Sequence, residues 1–276
     1  MWYMKNKKKS LPTAKDILKT KRVWYVSEDD TLAEAESKFV SSHDSVVVVD
    51  SEHKLMGIVS PYYTAIKRHY PPATKIKRCL FHSPKIHLDT PIDKIAHYFI
   101  ETKIHDLPVV DDAGICLGIV TARRALMLLK NTELVNIPVR EMLVDKDYLM
   151  TINTNSKLDE AIRFFIRTKL SKLVVVNEHN NLQGMISIFD ILPIYREPRV
   201  KENVFDRKGG GYGYNSHRVQ EYMVRNVVTI EESATIGNIL DTLLDKQIGS
   251  VVVMKNKLEP LNIITTSDLL RFFIKG

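Results

Sequence analysis

The stretch Gly184-Met185-Ile186-Ser187, an apolar run that ends in a hydroxyl residue, recurs in variant form three more times along the chain. The other copies are Gly57-Ile58-Val59-Ser60, Gly118-Ile119-Val120-Thr121 and Asn262-Ile263-Ile264-Thr265. A second apolar run lies upstream of each copy, at residues 46–49, 107–110, 173–176 and 251–253. Because the same phrases return in the same order, the chain is predicted to contain four versions of one structural unit.

The third copy shows the order of elements within the unit. A short strand is predicted over 149–152, and a helix follows in which apolar residues recur every three or four positions, namely Leu158, Ala161, Ile162, Phe165 and Ile166. The Val-rich run 172–177 is typical of a strand buried on both faces. A polar turn at 177–181, a strand at 183–186 and a helix from Ser187 to Ile194 complete the unit. This order predicts the α/β fold class, built from α+β repeats.

The spacers between copies predict the domain boundaries. We expect repeats at 14–70, 76–130, 139–195 and 219–276, with a basic linker rich in Gly and Tyr at 196–218. A single unit would leave one sheet face and one helix flank exposed, so units of this kind must pair to close a core.

Composition places the chain among globular proteins, with 44% apolar and 26% charged residues. The apolar stretches are strand-sized, whereas a membrane span needs roughly 20 residues. Residues 1–10 carry four lysines without a following apolar segment, which is not the pattern of a secretory signal. Cys79 and Cys116 have neither disulfide-framework nor zinc-ligand spacing. A cytoplasmic protein without a membrane partner is therefore expected.

The formal charge of +7 has two interpretations. It could attract polyanions such as nucleic acid or nucleotide phosphates. It could equally reflect a lysine-rich, solvated surface.

A hydroxyl residue followed three positions later by Asp occurs at two helix starts, Ser187-x-x-Asp190 and Thr265-x-x-Asp268. The free N–H groups of a helix start favour a phosphate, and a carboxylate can accept hydrogen bonds from both hydroxyls of a ribose. The same pattern is also the capping box, in which the two side chains satisfy the backbone of their own helix. The first two copies have Tyr63 and Arg124 in place of Asp.

These phrases resemble the CBS domain, the cystathionine β-synthase repeat. The resemblance extends to the lead-in segments 14–18, 139–143 and 219–223 and to the stretch His105-Asp106-Leu107-Pro108-Val109-Val110-Asp111. The resemblance covers residues 14–275. Its organisation is similar to the γ subunit of AMP-activated protein kinase and to stand-alone archaeal and bacterial members. It implies four repeats paired into two two-repeat modules, which can form one disc, and a regulatory function without catalysis.

The family commonly binds adenosine compounds between paired repeats. The resemblance therefore implies AMP, ADP, ATP or S-adenosylmethionine as a bound ligand, mainly in repeats 3 and 4, and no catalytic cofactor or metal. The candidate nucleotide-binding residues are Asp190, Asp268, Ser187, Thr265, Ser267, Lys172, Thr151 and Thr229. Lys172 stands where the kinase γ subunit has a phosphate-binding basic residue, with His105, Asp106, Gly249 and Ser250 at corresponding places. The N-terminal half, which lacks the carboxylates, is structural or binds another ligand.

The linker 196–218 lacks the ending of a phosphate-binding loop. It could stack on single-stranded nucleic acid, connect repeats flexibly, or bring Arg207, His217 or Arg218 over a bound phosphate. No nucleophile or acid–base pair stands out, so an enzyme is not expected. The expected function is a sensor that regulates a partner protein or forms a homodimer. The alternatives are a nucleic-acid-associated protein and a scaffold without ligand.

Overall fold

A computed structural model describes residues 11–39, 45–68, 70–143, 149–195 and 217–275. Twelve strands in these ranges form four three-stranded sheets, one for each predicted repeat. In three sheets the middle strand pairs parallel with the first strand of its repeat and antiparallel with the last. The α/β fold class is thereby confirmed.

The elements of the N-terminal half follow the predicted order. The first repeat contains α1 (Ala14–Ile17), β1 (Leu18–Lys19), β2 (Tyr25–Val26), α2 (Leu32–Glu36), β3 (Val46–Val49), β4 (Leu55–Val59) and a π-helical turn (Tyr62–Lys67). The second contains a 3₁₀ turn (Ile76–Arg78), α3 (Ile92–Thr102), β5 (Asp106–Val110), β6 (Cys116–Thr121) and α4 (Ala122–Leu129).

The C-terminal half repeats this order. A 3₁₀ turn (Glu133–Asn136) precedes the third repeat, which contains α5 (Val139–Leu143), β7 (Thr151–Asn153), α6 (Leu158–Thr168), β8 (Lys172–Val176), β9 (Leu182–Ser187) and α7 (Ile188–Tyr195). The fourth contains a 3₁₀ turn (Val219–Glu221), β10 (Thr229–Glu231), α8 (Ile236–Asp245), β11 (Ser250–Met254), β12 (Pro260–Thr265) and α9 (Thr266–Lys275).

The second repeat differs from the others because its first strand is reduced to one parallel bridge between Ile86 and Val109. In repeat 1 Val47 N donates to Trp24 O at 3.0 Å, and in repeat 4 Val252 N donates to Val228 O at 3.1 Å, each acceptor lying just before the first strand of its repeat. The corresponding residue of β5 is Pro108, which has no N–H to donate.

Lead-in segments cross between neighbouring repeats. β1, at the end of the first lead-in, pairs with β6 of the second repeat. The second lead-in returns to the first repeat through a bridge between Phe81 and Ile58, and the fourth lead-in reaches the third repeat through Val224 and Met185. This exchange defines an N-terminal module of repeats 1 and 2 and a C-terminal module of repeats 3 and 4.

Glycine permits this crossing. A Cβ atom on Gly184 would lie 2.8 Å from Val224 O, and one on Gly118 would lie 2.5 Å from Lys19 O. The recurrent Gly of the repeated phrase is therefore a site of close backbone approach, for which no side chain fits.

Hydrophobic packing closes the four repeats into a ring. Within each module the sheets face one another, with Val174 and Val176 against Val252 in the C-terminal module. Between modules the helices pack: the core of repeats 2 and 4 contains α3, α4, α8 and α9, while the turn Tyr62–Lys67 of repeat 1 packs on α6 of repeat 3. The predicted pairing into two modules is confirmed.

Candidate functional site

Two aspartates occupy equivalent helix starts in the C-terminal module. Asp190 Oδ2 accepts hydrogen bonds from Ser187 N and Ser187 Oγ, both at 2.6 Å. Asp268 Oδ2 accepts them from Thr265 N at 2.8 Å and Thr265 Oγ1 at 2.7 Å. Both carboxylates therefore take part in capping, and these bonds involve Oδ2 alone.

The same two aspartates also line cavities. Asp190 lies on a cavity of about 740 Å³, here called the Asp190 cavity, together with Ser187. Asp268 lies on a second cavity of about 520 Å³, the Asp268 cavity, with Thr265 and Ser267. Both volumes lie within the range of small-molecule sites. Capping therefore does not remove either residue from a cavity wall, and the same aspartate can cap a helix and border a ligand site.

The Asp268 cavity is strongly cationic. Its wall includes four basic side chains, Lys103, Lys169, Lys172 and Arg271, against the single carboxylate of Asp268. Arg271 Nη1 lies 3.8 Å from Asp268 Oδ1. An anionic group such as a phosphate is therefore favoured there.

Lys172, His105 and Gly249 line both cavities and thus lie where the two approach one another. Lys172 Nζ donates to Ser250 Oγ at 3.1 Å. Burial lowers the pKa of Lys172 to about 8, although the charge of Asp190 acts in the opposite direction. Burial, followed by the charges of Lys172 and Arg123, lowers the pKa of His105 to about 4. His105 is thus neutral at pH 7. The nearby Lys172 is charged at a cost in free energy that a bound anion would reduce.

The N-terminal module uses the corresponding positions for its own packing. The Tyr63 ring stacks on Phe81 with ring centroids 3.9 Å apart, and its hydroxyl donates to Thr102 O at 3.1 Å. Arg124 Nη1 donates to the carbonyl oxygens of Ile17 and Leu18. Tyr63 thus packs within the N-terminal module, and Arg124, which also lines the Asp190 cavity, fastens the first lead-in segment.

Comparison with known proteins identifies the repeats. The CBS-domain family model matches residues 14–62, 81–131, 139–197 and 219–275, which is most of the chain. The chain is a CBS-domain protein. The family model and the four sheets therefore agree on four repeats.

Relatives of this CBS protein include archaeal and animal proteins. It is 24% identical over 204 residues to protein MJ1404 of Methanocaldococcus jannaschii, with 72% of this chain and 47% of that protein covered. It is 24% identical over 185 residues to subunit gamma-3 of the 5'-AMP-activated protein kinase of Sus scrofa, with 63% of this chain and 35% of that subunit covered. The chain thus spans half or less of these two relatives.

A solved structure shares the whole fold. The crystal structure of protein MJ1225 from Methanocaldococcus jannaschii, proposed to be an archaeal homologue of the kinase γ subunit, superposes with a TM-score of 0.76 at 19% identity. The match covers 95% of this chain and 99% of that one. The resemblance in four-repeat organisation is confirmed.

The predicted site residues separate into two groups within this CBS architecture. Six of them line at least one cavity: Asp190, Asp268, Ser187, Thr265, Ser267 and Lys172. Thr151 and Thr229 line neither of the two and are exposed on the first strands of their repeats. Residues just before them on the chain, Met150 and Val228, line the cavities instead. Val174 of β8 lines the Asp268 cavity and provides an apolar wall for a ligand there.

Sequence reasoning missed the lysines that end α3 and α6. Lys103 and Lys169 have φ of 56° and 57°, the left-handed conformation that usually ends a helix with Gly. Both side chains line the Asp268 cavity, and the equivalent Gln247, with φ of 53°, lines the Asp190 cavity. The sequence marks these positions, because each of the three residues lies three positions before the middle strand of its repeat.

Asn262 is a second residue that was not predicted. It replaces the recurrent Gly in the fourth copy, is buried, and lines the Asp268 cavity. The feature of the sequence that marks it is the presence of Asn where the other three copies have Gly.

Most of the linker, residues 196–216 including Arg207, lies outside the described residues. His217 is hydrogen-bonded to the Tyr222 hydroxyl at 2.7 Å, and Arg218 Nη1 donates to Asn155 O at 2.9 Å. Neither residue lines the two cavities.

Within the described ranges, no helix is both long and apolar enough to cross a bilayer. In that same part of the chain, no group of three or more His, Cys, Asp or Glu is placed to hold a metal ion. Cys79 and Cys116 are buried free thiols.

Proposed function

We propose that this CBS protein is a regulatory protein that binds a phosphorylated adenosine compound, AMP, ADP or ATP, in the Asp190 and Asp268 cavities. The observation that carries the proposal is that both capping aspartates line cavities with basic walls. Each carboxylate would accept the ribose hydroxyls, and the basic side chains would neutralise the phosphate.

The charge of the sites favours phosphate over sulfonium. The Asp268 cavity holds four basic residues and one carboxylate, so the positive charge of S-adenosylmethionine would add repulsion. The similarity to a subunit of AMP-activated protein kinase supports the same ligand class.

Regulation would follow from the position of the cavities between repeats. A ligand changes the relative stability of two arrangements of the modules only if it binds one of them more tightly. A second copy of the chain or a partner protein would respond to that arrangement. We propose no catalytic step and no catalytic cofactor.

The test is a thermal-shift series with AMP, ADP, ATP and S-adenosylmethionine on wild type and on the double variant Asp190→Ala/Asp268→Ala. A phosphorylated ligand at a hundred times its Kd adds about 2.7 kcal/mol of stability. The double variant should show no such gain.

A matched control separates capping from binding. Asp16 Oδ2 accepts from Thr13 N at 2.7 Å and from Thr13 Oγ1 at 3.3 Å, the same bonds as the two site aspartates make, but it lies in neither cavity. Asp16→Ala should therefore lose about 1 kcal/mol of capping stability and keep the whole ligand response. If the double variant also keeps that response, the two aspartates only cap their helices. If no adenosine compound stabilises the wild type, the repeats form a scaffold without an adenosine ligand.

A further inference from the structure

The Asp190 cavity is built by both modules. The C-terminal module contributes Asp190 and Ser187, the groups suited to a ribose. The N-terminal module contributes three cations to the lining, Lys19, Arg123 and Arg124, and one carboxyl group, that of Asp106. A ligand held through its sugar by Asp190 would therefore share this cavity with basic groups of the other module.

Arg124 joins this wall to the first lead-in segment. Its Nη1 donates to Ile17 O at 3.3 Å and to Leu18 O, so the guanidinium connects α4 with β1. A guanidinium carries five N–H donors in a planar fork, so bonds from one nitrogen leave further donors for a ligand in the cavity that Arg124 lines. Lys19, the next residue on β1, lines the same cavity.

The first lead-in is held on the second repeat by a short ladder. β1 has two residues, Leu18 and Lys19, whose partners on β6 are Val120 and Ile119. Lys19 O approaches Gly118, where a Cβ atom would lie at 2.5 Å. A two-residue strand forms few backbone hydrogen bonds. An added contact at its end should therefore measurably change how readily β1 separates from β6.

We propose that Arg124 and Lys19 bind the phosphate of a ligand whose ribose is held by Asp190, and that occupancy of this cavity tightens the first lead-in segment on the second repeat. The inference rests on the proposed function and adds the means by which the N-terminal module detects a ligand. Arg124 stands where the C-terminal repeats have a ribose carboxylate. The presence of Arg in place of Asp thus converts a sugar-binding position into one that binds the phosphate of a ligand held by the other module.

The chemistry favours this assignment because arginine binds phosphate through paired N–H donors. A phosphate held by Lys19 of β1 and Arg124 of α4 would add a link between these two elements. Arg123 would support it from a fixed position, since its Nη2 donates to Gln247 O of the fourth repeat at 2.8 Å.

Hydrogen exchange of the full chain tests the inference, with AMP and adenosine as probes. AMP should slow exchange of the amides of residues 14–19 by at least about threefold, whereas adenosine, which lacks the phosphate, should leave them unchanged. Equal effects of the two ligands, or faster exchange with AMP, would overturn the inference and leave the proposed function intact.

Variants give a second measurement by calorimetry. Lys19→Ala should weaken AMP binding about tenfold, which is the equivalent of one charged hydrogen bond, and should leave adenosine binding unchanged. Lys21→Ala, on the same segment but outside the cavity, is the matched control and should bind AMP as wild type does. Unchanged AMP affinity in Lys19→Ala contradicts the inference. If neither ligand binds the wild type, the proposed function fails and the inference fails with it.

Discussion

Lys172 should destabilise the unliganded protein, so Lys172→Met is expected to raise stability while it weakens ligand binding. Burial lowers the pKa of Lys172 from 10.5 to about 8. At pH 7 the charged form therefore costs about 3 kcal/mol relative to an exposed lysine, at 1.36 kcal/mol for each pKa unit. The variant loses the bond from Lys172 Nζ to Ser250 Oγ, which is worth about 1 kcal/mol. The net gain is about 2 kcal/mol, or roughly 4 to 8 °C in Tm.

The pH dependence gives the sign of this effect. Because the folded-state pKa lies below the unfolded one, the unfolded chain binds the extra proton between pH 8 and 10.5. The stability of the wild type thus rises with pH in that window, and the advantage of Lys172→Met shrinks there. Urea unfolding of both proteins at pH 7, 9 and 10.5 measures the difference. A variant that is less stable at pH 7, or a difference that does not change with pH, refutes the reasoning.

Three further predictions concern other positions. His105→Gln should reduce the loss of stability between pH 6.5 and 4, since the low pKa of His105 means that the unfolded chain is protonated first; acid unfolding curves that superpose on wild type would contradict this. Gly184→Ala should cost about 1 to 3 kcal/mol in urea unfolding, because its Cβ would lie 2.8 Å from Val224 O; a neutral substitution would show that the lead-in can shift. Tyr63→Asp, although it restores the carboxylate pattern, should lower Tm through loss of the stack on Phe81 and should not increase the number of AMP sites found by calorimetry.

The architecture was largely predictable because the repeat carries the same pattern four times. Val-rich middle strands and hydroxyl-capped helix starts indicate the same elements in each copy, and the structure contains them. The reduced first strand of the second repeat was not predicted, although Pro108 was visible. The effect of Pro108 depends on which strand its missing N–H would face, and that is known only once the sheet is assembled.

The candidate site was predictable in part. The pattern Ser187-x-x-Asp190 indicates a carboxylate at a helix start, but capping and ribose binding use the same residues at the same spacing. The sequence therefore could not show whether a cavity lies beside it. Lys103 and Arg124 reach the cavities from other repeats, so their positions follow from the packing of modules. Thr151 was expected to bind the nucleotide, yet the alternation of its strand leaves it exposed.

A crystal structure of the protein with AMP tests the central claim most directly. Ribose hydroxyls are expected within about 3 Å of the carboxylates of Asp190 and Asp268, a hydrogen-bond distance for O–H donors, with the phosphates against the basic walls. AMP bound beside Tyr63 in the N-terminal module, with both aspartates contacting only their own helix starts, would contradict it.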